Sequence, residues 1–307
     1  MLYEKETIRP MISFSSAARS ARIILLLLFA FFVSCARPEV QPPPKPAKIA
    51  IVLGAGASRG FAHIGVLKIL EGSKVPVHMI VGTSAGSFVG SLYAYGFNAF
   101  QIQKIALSIH EAEIIDYAVP DNGFVKGEKL EAYINTLVQN APIEKMRIPF
   151  YAVTTNVQNG REVVFGSGNT GTAVRASCAI PGIFRPVMID NVMYVDGGVV
   201  SPVAVDAARR LGADIVIAVD ISADIHTQKP EGTIATILQS IGIMQSRISA
   251  VQLSRADIVI RPKVGQIGAA DFDKRHDAIM EGEKAALEAL PDIQKIIAKL
   301  KQSGRLE

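Results

Sequence analysis

The chain is short of three things: cysteine, excess charge and long apolar runs. Its 307 residues contain 32 Lys and Arg against 28 Asp and Glu, a net charge of +4. Residues 1–34 hold Lys5, Arg9, Arg19 and Arg22 against Glu4 and Glu6, which is +2 of that total. The remainder carries 28 basic and 26 acidic residues (32 − 4 and 28 − 2), a balance that leaves no electrostatic footprint for nucleic acid. The run Ile23–Val33 is too short to span a bilayer as a helix but suits the core of a signal peptide, with Arg19 and Arg22 before it. At 49% hydrophobic and 20% charged, the chain has material for one large domain or two small ones around a substantial core.

The end of the apolar run bears on location. Phe32-Val33-Ser34-Cys35 resembles a bacterial lipobox, in which the cysteine becomes the lipidated first residue of the mature protein; Phe32 stands where leucine is usual. An ordinary secretory signal, or an N-terminal anchor with an incidental cysteine, is the other reading, and Met11 is an alternative start. With Cys35 acylated, Cys178 has no partner, so no intramolecular disulfide is expected; among Ala176, Ser177 and Ala179 it reads as a packed thiol. Residues 36–48, with Pro38, Pro42, Pro43, Pro44 and Pro46, read as an extended tether. The expected division is a signal peptide over 1–34, lipidated Cys35 and tether over 35–47, and one domain over 48–307, placed on the cell envelope. Ala36 after the cysteine, rather than aspartate, favours the outer membrane over the inner.

From Lys48 on, strand and helix patterns alternate. Short apolar strands are expected at Ile49–Leu53, Val77–Val81, Pro149–Asn156 and Ile215–Val219, with helices at Gly60–Glu71, Ser87–Tyr95, Ala99–Ser108 and Ile234–Ser254. A last helix is expected over Asp273–Leu290. Asp190-Asn191 between Val187–Ile189 and Val192–Val195 is a hairpin signal. The alternation indicates an α/β domain, a mostly parallel sheet covered by helices on both faces. The apolar segment Ile114–Phe124 reads as a loop touching acyl chains or lipid, or as a buried crossing segment, the second being favoured.

Gly82-Thr83-Ser84-Ala85-Gly86 is a G-x-S-x-G pentapeptide between a strand and a helix, the setting of a nucleophile elbow. A second glycine-rich turn, Gly54-Ala55-Gly56-Ala57-Ser58-Arg59-Gly60, also joins a strand to a helix, and such turns present backbone N–H groups to anions. Its spacing is not G-x-G-x-x-G and no Walker lysine follows, so a nucleotide loop fits poorly; an oxyanion hole beside Ser84 fits better. A base is needed next. His110, His226 and His276 all lack the context of a triad histidine, and His63 reads as a packing or structural residue. Asp196, in Tyr194-Val195-Asp196-Gly197-Gly198, ends a strand and is a candidate base; a plain D-G-G turn closing a hairpin is the other reading. Arg175 and Arg185 are candidates for a phosphate contact, with structural ion pairs preferred.

The run Leu53–Leu67, then Gly82–Gly86, then Asp196–Gly198 resemble, in order and spacing, the patatin-like phospholipases, the bacterial branch most closely. Ala179–Pro186 resembles the family's segment between serine and aspartate, and the likeness runs from about Ile49 to Leu290. The resemblance implies a three-layer α/β/α domain and a Ser84–Asp196 dyad with no catalytic histidine. It places the oxyanion donors among Gly54, Gly56, Ala57 and Ser58, centred on Gly56 and Ala57. Arg59 and Gly60, Gly82, Thr83, Ala85 and Gly86, and Gly197 and Gly198 complete the motifs, and Ala55 stands where the family often has glycine. It implies hydrolysis of phospholipid, lysophospholipid or neutral lipid esters through an acyl-enzyme, with no metal or organic cofactor. The partners expected are a lipid ester and, through Cys35, a membrane; no nucleic acid is expected. A Ser–His–Asp hydrolase and a non-catalytic envelope lipoprotein of the same fold are the competing readings.

Overall fold

A computed structural model describes Ala21 and residues 44–119, 122–222 and 230–307. The expected signal segment apart from Ala21, the lipobox with Cys35 and the tether up to residue 43 lie outside the described residues. Lys45–Glu307 fold as one unit.

The strands in chain order are β1 (Ile49–Leu53), β2 (Met79–Thr83), β3 (Phe150–Asn156), β4 (Glu162–Phe165), β5 (Val187–Ile189), β6 (Val192–Asp196), β7 (Ile215–Val219) and β8 (Ile258–Ile260). The helices are α1 (Phe61–Gly72), α2 (Ala85–Tyr95), α3 (Ala99–Ser108), α4 (Glu111–Ile114), α5 (Glu128–Leu137), α6 (Thr170–Ser177), α7 (Val205–Arg210), α8 (Gly232–Leu253) and α9 (Arg275–Gln302). The strands form one sheet in the order β5-β6-β3-β2-β1-β7-β8, with β4 also on β3. Pairs β8–β7, β7–β1, β1–β2 and β2–β3 are parallel. Pairs β3–β4, β3–β6 and β5–β6 are antiparallel.

The apolar runs explain the layers. A strand buried on both faces sends alternate side chains to opposite sides. In β1, Ile49, Ile51 and Leu53 enter a core with α1, α2, α3 and α9 residues, while Ala50 and Val52 enter a second core with Val205, Ala207 and Ala208 of α7 and Leu253 of α8. These are the two outer layers of the α/β/α arrangement. Fully burying one Val, Leu or Ile contributes about 1.5–3 kcal/mol, so the filled strands β1 and β2 are a large part of what fixes the sheet.

Two expectations are corrected. Helix α9 does not stop at Leu290 but runs through Pro291 to Gln302. Proline removes one helical N–H, yet Ile293 and Leu300 beyond it are buried in the main core, and that packing carries the helix onward. The segment Ile114–Phe124 is not a buried crossing: Ile114 is buried, but Tyr117 is 74% and Val119 83% exposed. It forms a surface excursion in which Tyr117 bridges Val125 and the Ala118 N–H donates to the Phe124 carbonyl; residues 120 and 121 lie outside the described residues. The Asp190-Asn191 hairpin forms with both residues at positive φ, 50° and 61°.

Candidate active site

The site is built on one edge of β3. That strand has two edges, and β4 occupies one of them along Ala152–Thr155. β2 pairs with Phe150–Val153 and β6 with Thr154–Asn156, so both overlap β4 in register and must share the opposite edge. They run toward each other. β2 ends at Thr83 opposite Val153, and β6 ends at Asp196 opposite the next residue, Thr154. Two carboxyl ends therefore meet head to head, and the residues at that junction are Ser84 and Asp196.

Ser84 turns the chain from β2 into α2 with φ 55° and ψ −122°, a sparsely populated conformation for a residue with a side chain. Close packing holds it there. A Cβ on Gly86 would lie 2.0 Å from the Leu53 carbonyl oxygen, so the first turn of α2 can press on the end of β1 only because residue 86 has no side chain. The Ser84 N–H donates to the Ser177 hydroxyl (2.9 Å), which donates in turn to the Val153 carbonyl (2.6 Å). The Thr83 hydroxyl donates to the Ser201 carbonyl (3.0 Å), fixing the residue before the turn.

The Ser84 hydroxyl donates to Asp196 Oδ2 at 2.5 Å. The other carboxylate oxygen, Oδ1, accepts the Gly198 N–H at 2.7 Å. The Asp196 backbone is held by its own N–H on the Ala179 carbonyl (2.8 Å) and by the Thr155 hydroxyl on its carbonyl (2.9 Å). Ser84 and Asp196 are both buried. Burial pushes the Asp196 carboxyl up to about 6, against the pull of the Ser84 and Gly198 bonds, which favour the anion. An aspartate so raised is a stronger base than one in water and is still ionised at neutral pH.

The glycine-rich turn lies beside this pair. It enters a short 3-10 turn, Ala57–Gly60, directly before α1. The Gly54 N–H donates to the Val219 carbonyl and the Ser58 N–H to the Ala269 carbonyl, so these two, expected among the oxyanion donors, are committed elsewhere. Among the described residues the Gly56 and Ala57 N–H groups donate to nothing. Ala57 has φ 50° and lines the same cavity as Ser84. The Arg59 side chain lies buried and ties the turn to the Ile221 carbonyl (3.0 Å) and the Ile267 carbonyl (3.1 Å). His63 Nε2 lies 2.8 Å from the Gly54 carbonyl oxygen, a structural role; burial lowers its imidazole to about 4, so it stays neutral.

Ser84 lines a cavity of about 370 Å³. Its walls are mostly apolar, from α2, α3 and the Ile180–Phe184 segment. Cys178 is also on this wall, 3.8 Å from the Ser87 hydroxyl, rather than simply packed in a core; burial, then the Asp196 charge, pushes its thiol up and keeps it protonated. Arg175 is in the expected ion pair, with Glu131 at 2.9 Å, and Arg185 donates to the Val119 carbonyl. Among the described residues no histidine hydrogen-bonds to Ser84 or Asp196; His226 lies outside them. Ser177 was invisible to sequence reasoning, because one serine at the end of a short helix carries no signal of the partner its hydroxyl finds.

The sequence matches the family described as Patatin-like phospholipase over residues 51–209, just over half of the chain. Lysophospholipase NTE1 of Pyricularia oryzae is 28% identical over 278 residues, covering 80% of this chain and 18% of that protein. Patatin-like phospholipase domain-containing protein 6 of Homo sapiens is 35% identical over 188 residues, 58% of this chain and 14% of that one. The chain thus spans less than a fifth of the length of these relatives. Among solved structures, VipD from Legionella pneumophila superposes with a TM-score of 0.56 at 12% identity, covering 81% of this chain and 67% of that one, a likeness of fold. By motif order, by architecture and by this match, the chain belongs to the patatin-like phospholipase family.

Proposed function

We propose that Lys45–Glu307 is a lipid acyl hydrolase of the phospholipase A or lysophospholipase type, working through a Ser84–Asp196 dyad. The observation that carries this reading is the 2.5 Å bond to a buried carboxylate from the hydroxyl of Ser84, which lines an apolar cavity. Asp196 takes the Ser84 proton as the oxygen attacks the ester carbonyl. The resulting tetrahedral oxyanion accepts from the Gly56 and Ala57 N–H groups, each such donor typically worth a few kcal/mol in the transition state. Collapse expels the alcohol, which leaves with the proton held by Asp196, and the acyl group stays on Ser84. Water then attacks the acyl-enzyme, Asp196 taking its proton; collapse frees the fatty acid and returns the proton to Ser84. The names of the relatives support a lysophospholipid or phospholipid substrate.

The same proposal includes a bacterial lipoprotein form, with the domain tethered to the envelope by an acylated Cys35 and the proline-rich stretch after it. The sequence Phe32–Cys35 supports this, and a lipid substrate agrees with it. A fluorophosphonate probe on the purified protein tests the dyad: labelling of the wild type and none of a folded Ser84→Ala protein is expected, and labelling that persists in Ser84→Ala sinks the assignment. Fatty-acid labelling that survives Cys35→Ser removes the tether.

A further inference from the structure

We infer that the cavity beside Ser84 is a blind slot for a single acyl chain, and that Leu92 and Ile102 at its floor set the longest chain it holds. The inference rests on the acyl-hydrolase reading above and narrows it to a substrate dimension. Ala85, Phe88, Val89 and Leu92 of α2 all line the cavity. Their spacing of three and four residues puts them on one helical face, so the cavity follows the elbow helix away from the nucleophile. At 1.5 Å per residue, the wall from Ala85 to Leu92 is roughly 10 Å long. Helix α3 and the residue after it supply the facing wall with the same spacing: Ile102, Ile105, Ala106 and Ile109.

Burial and polarity both run along this slot. Leu92 and Ile102 are at most 1% exposed and belong to the main core, so the cavity ends on packed protein. At the other end Tyr117 is 74% exposed, and its hydroxyl donates to the exposed carboxylate of Glu111 at 2.7 Å. A polar mouth and an apolar floor match a molecule with a polar head and one hydrocarbon tail. The reacting carbonyl belongs where head and tail join, and Ser84 lies on the lining at the end of α2 away from Leu92. Apolar walls of this kind gain by taking apolar atoms out of water.

The test is the chain-length profile of kcat/KM on a homologous series of esters, from butyryl to stearoyl, presented at fixed surface concentration in mixed micelles. Burying one methylene is worth ~0.8 kcal/mol, so the rate is expected to climb by about fourfold per methylene until the slot is full, and then to stop climbing. Leu92→Ala and Ile102→Ala deepen the floor and are expected to move that break to longer chains, by about two or three carbons. Ala106→Leu fills the slot and is expected to move it to shorter ones. Each variant is its own control, because the break is read from ratios within one protein, and fluorophosphonate labelling reports that its site is folded. A wild-type profile that climbs without a break to stearoyl overturns the slot. So does a break at the same carbon number in every labelled variant. A wild type that neither labels nor turns over any ester overturns the hydrolase reading and this inference with it, a different result from an active enzyme with an immovable break.

Discussion

The two halves of the sheet are built differently, and each supplies one residue of the proposed dyad. From β8 to β3 the strands are parallel, and the carboxyl ends of β1 and β2 carry the glycine-rich turn and Ser84. From β3 to β5 they are antiparallel, and β6 brings Asp196 back along β3 from the opposite direction. A purely parallel sheet puts every carboxyl end at the same rim, so facing groups must reach across between loops. Here the reversal sets two strand ends nose to nose. In the proposed dyad the parallel half presents the nucleophile, Ser84, and the antiparallel half the base, Asp196.

The sharpest way to separate the halves is to disable one residue in each. Ser84→Ala and Asp196→Asn are both expected to lower kcat on a soluble ester by about ten-thousandfold or more, as for other hydrolytic dyads and triads. Their stabilities are expected to diverge. The folded-state pKa of Asp196 is raised from 3.8 to about 6, so the native protein takes up a proton in that window and loses stability as pH rises through it. Above pH 6 the buried anion is a standing penalty, which Asn lacks. Asp196→Asn is expected to melt higher than wild type at neutral pH, by about 1–3 kcal/mol in urea unfolding, with no such gain well below pH 4. A variant less stable than wild type at neutral pH contradicts this.

The backbone contacts of each half can be broken separately. Gly86→Ala drives a methyl into the Leu53 carbonyl on the parallel side, and Gly197→Ala puts one 2.3 Å from the Val153 carbonyl on the antiparallel side. Each is expected to destabilise by about 3 kcal/mol or more, read as a fall in urea midpoint at constant m-value. Ser177→Ala probes the link between the halves, since its hydroxyl joins the Ser84 N–H to β3. About 1–3 kcal/mol of stability is expected to go with it, because a buried N–H loses its acceptor. A tenfold or larger fall in kcat, with KM little changed, would mark it as positioning the nucleophile. The smallest effect is the pH profile: kcat/KM of the wild type is expected to fall with unit slope below about pH 6 as Asp196 takes its proton. A profile flat to pH 4 would remove Asp196 as the base.

The parallel half was the more legible from sequence. Its strands are continuous apolar runs, and its two functional turns carry glycines that local backbone geometry demands, so Gly54–Gly60 and Gly82–Gly86 could be read where they stand. The meeting of Ser84 with Asp196 was not legible from local pattern. It depends on which edge of β3 accepts β6, a pairing between residues far apart in the chain that leaves no trace in either segment. Family resemblance supplied it instead. In the turn proposed to hold the oxyanion, Gly54 and Ser58 lose their N–H groups to the carbonyls of Val219 and Ala269, contacts no local rule predicts. The exposed Tyr117 and Val119 were misjudged because hydrophobicity alone does not say which apolar residues stay outside.

On the proposed dyad, the head-to-head junction on β3 makes activity a gauge of strand register. Thr83 and Asp196 face adjacent residues of one strand, Val153 and Thr154, so the pair is correct only when both alignments are correct at once. A slip of one residue by either strand would shift its end by ~3.3 Å and turn its side chains to the other face. Such a chain could still bury most of its core and look folded to circular dichroism, yet hydrolyse nothing. Turnover therefore reports the alignment of two strands that most measurements of folding would average away.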